Sequence, residues 1–65
     1  MKVTTYEIKT FSGVVLEKDT FRVFCDESAF RSVMRRILKS YGDDVYCEYS
    51  WRGRKHLGTI TNRLH

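Results

Sequence analysis

The chain has no proline and only four glycines among its 65 residues. This composition argues against a linker or a low-complexity tail, and no internal repeat is visible. Its apolar runs extend to only two or three residues, whereas a membrane-spanning helix needs roughly 20. The first residues also lack the apolar segment of a signal peptide. We therefore expect residues 1–65 to form a single small domain in the cytoplasm, without membrane contact.

Cysteine is scarce too, with Cys25 and Cys47 as the two examples. In a cytoplasmic protein they are expected to be free thiols, although one disulfide in an exported domain remains the alternative. Together with His56 and His65 they match none of the paired spacings typical of zinc sites. No metal ligand is therefore expected.

Catalytic motifs are missing from the sequence as well. It has no glycine-rich phosphate loop, no G-x-S-x-G, no H-E-x-x-H and no calcium-loop pattern. Asp43, Asp44 and Glu48 are better explained as loop and strand residues, because acids after a helix-stopping glycine are common in loops. A Cys47–His56 pair would still need an orienting group and a cleft. We expect a non-enzymatic protein without a cofactor.

What the chain does have is enough apolar surface to fold, with 42% hydrophobic and 14% aromatic residues. The clearest element is a helix predicted over residues 27–41. Asp26 or Ser28 can cap its start, and Gly42 can adopt the conformation that ends it. Its apolar residues recur at spacings of three and four, as one helical face requires: Ala29, Phe30, Val33, Met34, Ile37, Leu38 and Tyr41.

After the helix, alternation predicts a strand from about residue 44 with one face in the core. The residues predicted on that core face are Val45, Cys47, Tyr49 and Trp51. Residues 52–55 then predict a tight turn with Gly53 at positive φ, and residues 56–61 a returning strand. Leu57 and Ile60 would face opposite sides of a regular strand. We therefore expect a bulge at Gly58 that turns both side chains inward.

Before the helix, Thr4, Tyr6 and Ile8 predict a first strand, followed by a turn at residues 12–13. A second strand at residues 14–16, a turn at residues 17–20 and a short third strand over residues 21–25 would give the order β-β-β-α-β-β. Alternatively, residues 14–25 form one bent strand, giving β-β-α-β-β.

Either order predicts a two-layer α+β fold, with the amphipathic helix packed on one face of a small antiparallel sheet. The opposite sheet face would be open, as a binding site or a homodimer interface. The residues expected there oppose those assigned to the core: Arg22, Phe24, Tyr46, Glu48 and Ser50.

Charge is unevenly distributed along the chain. Residues 1–27 hold four bases and five acids, whereas residues 28–65 hold eight bases and three acids. A segregated positive field attracts polyanions, so DNA or RNA is the leading partner. We predict contacts through a stripe on the helix and through the tip of the second hairpin. The residues are Arg31, Arg35, Arg36, Lys39, Arg52, Arg54 and Lys55.

Two other interpretations remain open. The charges can simply form solvated faces, because basic helix ends and basic hairpin tips are common. Alternatively, the small size and open sheet face suit a protein-binding inhibitor or adaptor of the mobile-element type. Its basic surface would then dock on an acidic protein partner.

Overall fold

The computed structural model of the protein describes residues 3–61. It contains a four-stranded antiparallel sheet of order β2-β1-β3-β4 and one helix that packs on β3 and β4. The predicted α+β fold is confirmed. The elements are β1 (Thr4–Thr10), β2 (Val15–Phe21), α1 (Glu27–Tyr41), β3 (Val45–Ser50) and β4 (Gly58–Thr61), with a tight turn (Trp51–Gly53) between β3 and β4.

The helix has the predicted bounds because both of its ends are encoded locally. The Asp26 carboxylate accepts a hydrogen bond of 2.8 Å from the Ala29 backbone N–H, which leaves fewer unpaired donors in the first turn. Gly42 ends α1 at φ 106°, a conformation that disfavours side chains with a Cβ. Among residues 3–61, no helix is both long and apolar enough to cross a membrane.

The core lies between α1 and one face of the sheet. Alternation along β1 and β3 brings every second residue of these strands beneath the helix. Cys47 is among them, and burial raises the pKa of its thiol to about 12. Both cysteines are free thiols. The buried apolar residues are Tyr6, Ile8, Phe30, Met34, Leu38, Val45, Cys47, Tyr49 and Ile60.

Of the two predicted orders of elements along the chain, β-β-α-β-β is correct, and the turn predicted at residues 17–20 is wrong. Those residues belong to β2, where Lys18 pairs with Glu7 and Asp19 with Tyr6 of β1. β2 is an edge strand, and charged side chains are common on edge strands. Its charged residues can therefore remain in contact with solvent while the backbone pairs with β1. The strand also ends at Phe21, so residues 22–26 form an irregular connection to α1.

Three assignments of side chains to the core or the open face are also corrected. Arg22 and Phe24 do not lie on the open sheet face, because their segment is not a strand. Tyr41 was predicted to be in the core, but it is 40% exposed and its hydroxyl donates to Glu17 at 2.6 Å. A phenol can pack its ring at the margin of the core while its hydroxyl reaches a polar partner.

The predicted bulge at Gly58 is absent from the register described for β3 and β4. Tyr49 pairs with Gly58 and Cys47 with Ile60 in regular order, while Leu57 precedes β4 and is 57% exposed. Gly58 has a different role. A Cβ at this position would lie 2.6 Å from Cε1 of Tyr49, so the missing side chain makes room for the tyrosine ring.

Candidate functional site

The tip of the β3–β4 hairpin is built on a tight turn with an unusual backbone. Arg52 (φ 49°, ψ 41°) and Gly53 (φ 78°) both have positive φ, and the Arg54 N–H donates to the Trp51 carbonyl at 2.9 Å. This is the geometry of a type I′ turn. Gly53 adopts it as predicted. For Arg52 the left-handed conformation costs on the order of 1 kcal/mol, so other contacts must hold it there.

Those contacts tie Arg52 to two other parts of the chain. Its backbone N–H donates to Thr4 Oγ1 at 3.0 Å, and its guanidinium donates to the Cys25 carbonyl at 3.2 Å. The guanidinium also lies 5.0 Å from the centroid of the Trp51 ring and 5.6 Å from that of Phe24. Arg52 therefore joins the tip to the start of β1 and to the segment before α1.

Arg54 joins the tip to the helix itself. It forms an ion pair of 2.6 Å with Glu27, the first residue of α1. The hydrogen bonds from Arg54 and, second, from Tyr49 lower the pKa of the Glu27 carboxyl below its ordinary value. The same ion pair raises the pKa of Arg54.

Tyr49 extends this network to the helix stripe. Its hydroxyl donates to Glu27 at 2.7 Å and accepts from the Arg31 guanidinium at 2.7 Å. Arg31 also donates to the Thr59 carbonyl of β4 at 3.3 Å. Burial is the main reason that the pKa of Tyr49 is raised, so this hydroxyl keeps its proton and can serve as a donor.

Three of the seven predicted residues thus come together around the start of α1: Arg31, Arg52 and Arg54. Arg35, Arg36 and Lys39 lie on exposed positions farther along α1, and Lys55 is exposed next to Arg54. Glu27 compensates the charge of Arg54, whereas Arg31 and Arg52 are held by neutral hydroxyl, carbonyl and ring groups. The name basic surface denotes these seven residues as a set, of which Arg31, Arg52 and Arg54 make the contacts described above.

A concavity of about 380 Å³ next to the tip was not predicted from the sequence. Phe24, Trp51 and Phe21 contribute its aromatic wall, and Arg22 and Arg52 contribute charge. Trp51 was predicted to be a core residue. It is in fact half-buried, packing against the core residue Phe30 at 5.6 Å between ring centroids while also lining the concavity.

The concavity was missed because alternation in residues 21–25 indicated a strand, which would have separated Arg22 and Phe24 from the tip. Phe24 was expected to be an exposed aromatic, and that is confirmed. No pattern in the sequence indicated that Phe24 lies near Arg52, which follows it by 28 positions. The contact follows from sheet pairing and from the irregular path of residues 22–26.

The sheet face opposite α1 has a different character. On this open sheet face, Lys9 lies 2.6 Å from Glu48 and 3.5 Å from Glu7, and Lys18 lies 3.6 Å from Glu7. Tyr46, Glu48 and Ser50 occupy the alternate positions of β3, as predicted. These opposite charges balance one another, so this face contributes little to a positive field.

The arrangement of side chains suits two kinds of interaction: anion binding on the basic surface and ring stacking at the concavity. Among residues 3–61, no group of three His, Cys, Asp or Glu side chains is arranged to hold a metal ion. Comparisons with protein-family models, with curated proteins and with solved structures found no match to this chain.

Proposed function

We propose that this protein is a small, non-enzymatic module that binds nucleic acid through the basic surface. The observation that carries the proposal is the convergence of Arg31, Arg52 and Arg54 around the start of α1. Arg31 belongs to α1, whereas Arg52 and Arg54 belong to the hairpin tip, and the exposed charges of the helix stripe and Lys55 extend the same set.

The way the arginines are held supports phosphate binding. A guanidinium has five N–H donors. Arg31 uses two of them in the contacts described here and Arg52 uses one, all with neutral acceptors. Each retains its full charge and further donors in a fixed orientation. Such groups are suited to phosphate oxygens, which release bound counterions when they are neutralised.

The test compares two double variants that each remove two positive charges. R36Q/K39Q changes exposed residues of the helix stripe, whereas K9Q/K18Q changes the open sheet face. We expect R36Q/K39Q to weaken oligonucleotide binding by about tenfold per lost phosphate contact at 50 mM salt, and to flatten the salt dependence by about 0.7–0.9 per contact. K9Q/K18Q should bind almost as the unmodified protein does. Fluorescence anisotropy across a salt series measures both quantities.

Two results would contradict the proposal. Absence of oligonucleotide binding at low salt would remove it, and equal losses in both variants would show that net charge matters rather than the basic surface. A stoichiometric protein companion that survives nuclease treatment of a lysate, combined with absence of oligonucleotide binding, would favour an acidic protein as the partner instead.

A further inference from the structure

Phe24 is the most exposed large apolar side chain in the described part of the chain, at 94% exposure. Its neighbour Val23 is 68% exposed. A single exposed apolar residue is ordinary, but here two adjacent ones line the same concavity as Trp51 and Phe21. Exposed apolar patches of this kind are often interaction sites.

The charged residues that line the concavity indicate the kind of ligand that would fit it. Arg22 and Arg52 both line the concavity, and within residues 3–61 no acidic residue lines it. Its volume of about 380 Å³ falls within the range of about 300–1,000 Å³ that small-ligand sites occupy. An aromatic wall beside two arginines suits a ligand that combines a flat ring with a negative charge.

The backbone of Arg52 fixes the position of its side chain. Arg52 is the only residue other than glycine with positive φ in the described part of the chain, and its N–H is held by Thr4 Oγ1. Positive φ at this position is what a type I′ hairpin turn requires. Here the enforced conformation holds the guanidinium near both Phe24 and Trp51.

We propose that this concavity binds one unpaired base and its adjoining phosphate, so that the protein prefers single-stranded to duplex nucleic acid. The base stacks on the exposed Phe24 ring beside Trp51, and Arg22 and Arg52 bind the phosphate. Only a single strand offers free base faces, because the bases of a duplex are stacked on one another. The inference rests on the proposed function and narrows its ligand class.

Trp51 is the only tryptophan, so its fluorescence reports on the concavity directly. The experiment titrates the protein with a single-stranded dodecathymidylate and with a 12-base-pair duplex at 50 mM salt, following Trp51 emission and anisotropy. We expect the single strand to quench Trp51 and to bind more tightly than the duplex.

Three variants separate stacking from other effects. Phe24→Ala should weaken single-strand binding about 5- to 150-fold, which corresponds to the loss of one stacked base, and leave duplex binding unchanged. Phe24→Tyr should restore most of the affinity because it keeps an aromatic ring. Phe11→Ala is the matched control, since Phe11 is a half-exposed aromatic that stacks on Tyr46 of the open sheet face.

Phe24 is almost fully exposed, so its replacement should not unfold the protein, and thermal melting checks this. Salt-dependent binding without Trp51 quenching, or equal effects of Phe24→Ala and Phe11→Ala, would overturn the concavity as a base site and leave the proposed function standing. If neither oligonucleotide binds, the proposed function fails and this inference fails with it.

Discussion

The open sheet face and the basic surface both contain cations held in place, but by different partners. On the open sheet face, Lys9 and Lys18 contact carboxylates of Glu7 and Glu48. On the basic surface, Arg31 and Arg52 contact a phenol, two carbonyls and aromatic rings. A carboxylate cancels the charge that it orients, whereas a neutral acceptor orients the group and leaves its charge intact. Partner type therefore distinguishes Arg31 and Arg52 from the lysines of the open sheet face, whereas Arg54, paired with the Glu27 carboxylate, resembles those lysines.

The largest expected effect on stability comes from Gly58→Ala, because this position packs against the tyrosine that holds Arg31 in place. The new Cβ would overlap the buried Tyr49 ring and displace the hydroxyl that holds Arg31 and Glu27. We expect the free energy of unfolding in urea to fall by about 1–3 kcal/mol. Thr59→Ala, at the exposed next position, is the control and should change it by less than about 0.5 kcal/mol. Equal values for the two variants would show that Tyr49 is not held tightly.

Glu27→Gln and Glu48→Gln each remove one acid, the first beside the basic surface and the second on the open sheet face. Loss of Glu27 frees the charge of Arg54, so oligonucleotide affinity should rise by up to about tenfold at 50 mM salt. Loss of Glu48 makes the same change in net charge, but it lies on the open sheet face, where no such gain is expected. Anisotropy titrations measure both, and an equal gain in the two variants would contradict the distinction between the faces.

The pH dependence of stability tests the Glu27 network separately. Hydrogen bonds from Arg54 and Tyr49 lower the folded-state pKa of Glu27. Its contribution to stability is therefore fully present above the ordinary glutamate pKa of about 4.3 and is lost as pH falls through the lowered value. We expect the stability difference between the unmodified protein and Glu27→Gln to shrink from about pH 6 to about pH 3. Urea unfolding across this range measures it, and a constant difference would argue against the network.

The smallest effect is expected for Lys18→Gln on the open sheet face. The Lys18 side chain is 74% exposed and lies 3.6 Å from Glu7, so the change in unfolding free energy should stay below about 0.5 kcal/mol. Oligonucleotide binding should also be unchanged. Lys55→Gln removes the same charge from the hairpin tip and should weaken binding measurably. Equal binding by these two variants would remove Lys55 from the basic surface.

Much of the fold could be predicted because its signals are local. The periodicity of α1, the capping carboxylate of Asp26 and the glycine conformation at Gly42 all act within a few residues of one another. The middle of β2 could not be predicted in this way. Glu17, Lys18 and Asp19 have the polarity of a turn, and only pairing with β1 makes them a strand.

The predicted site was affected by the same limit. Helical spacing and the polar turn at residues 52–55 predict the seven cations one by one. They do not predict that Glu27 and Tyr49 connect Arg54 to Arg31, because the alternating pattern assigns Tyr49 only a core role. A buried tyrosine whose hydroxyl needs a partner is the signal that was available.

The helix, the turns around Gly13 and Gly53 and the alternating strands that face the core follow from the sequence, since each depends on neighbouring residues. The grouping of the charges, and their cancellation by carboxylates, depends on contacts between distant parts of the chain. Arg52 meets Cys25, and Arg31 meets Thr59, across 27 and 28 positions of the chain. Such contacts arise from strand pairing and helix packing, which bring distant residues within hydrogen-bond distance after the backbone has folded.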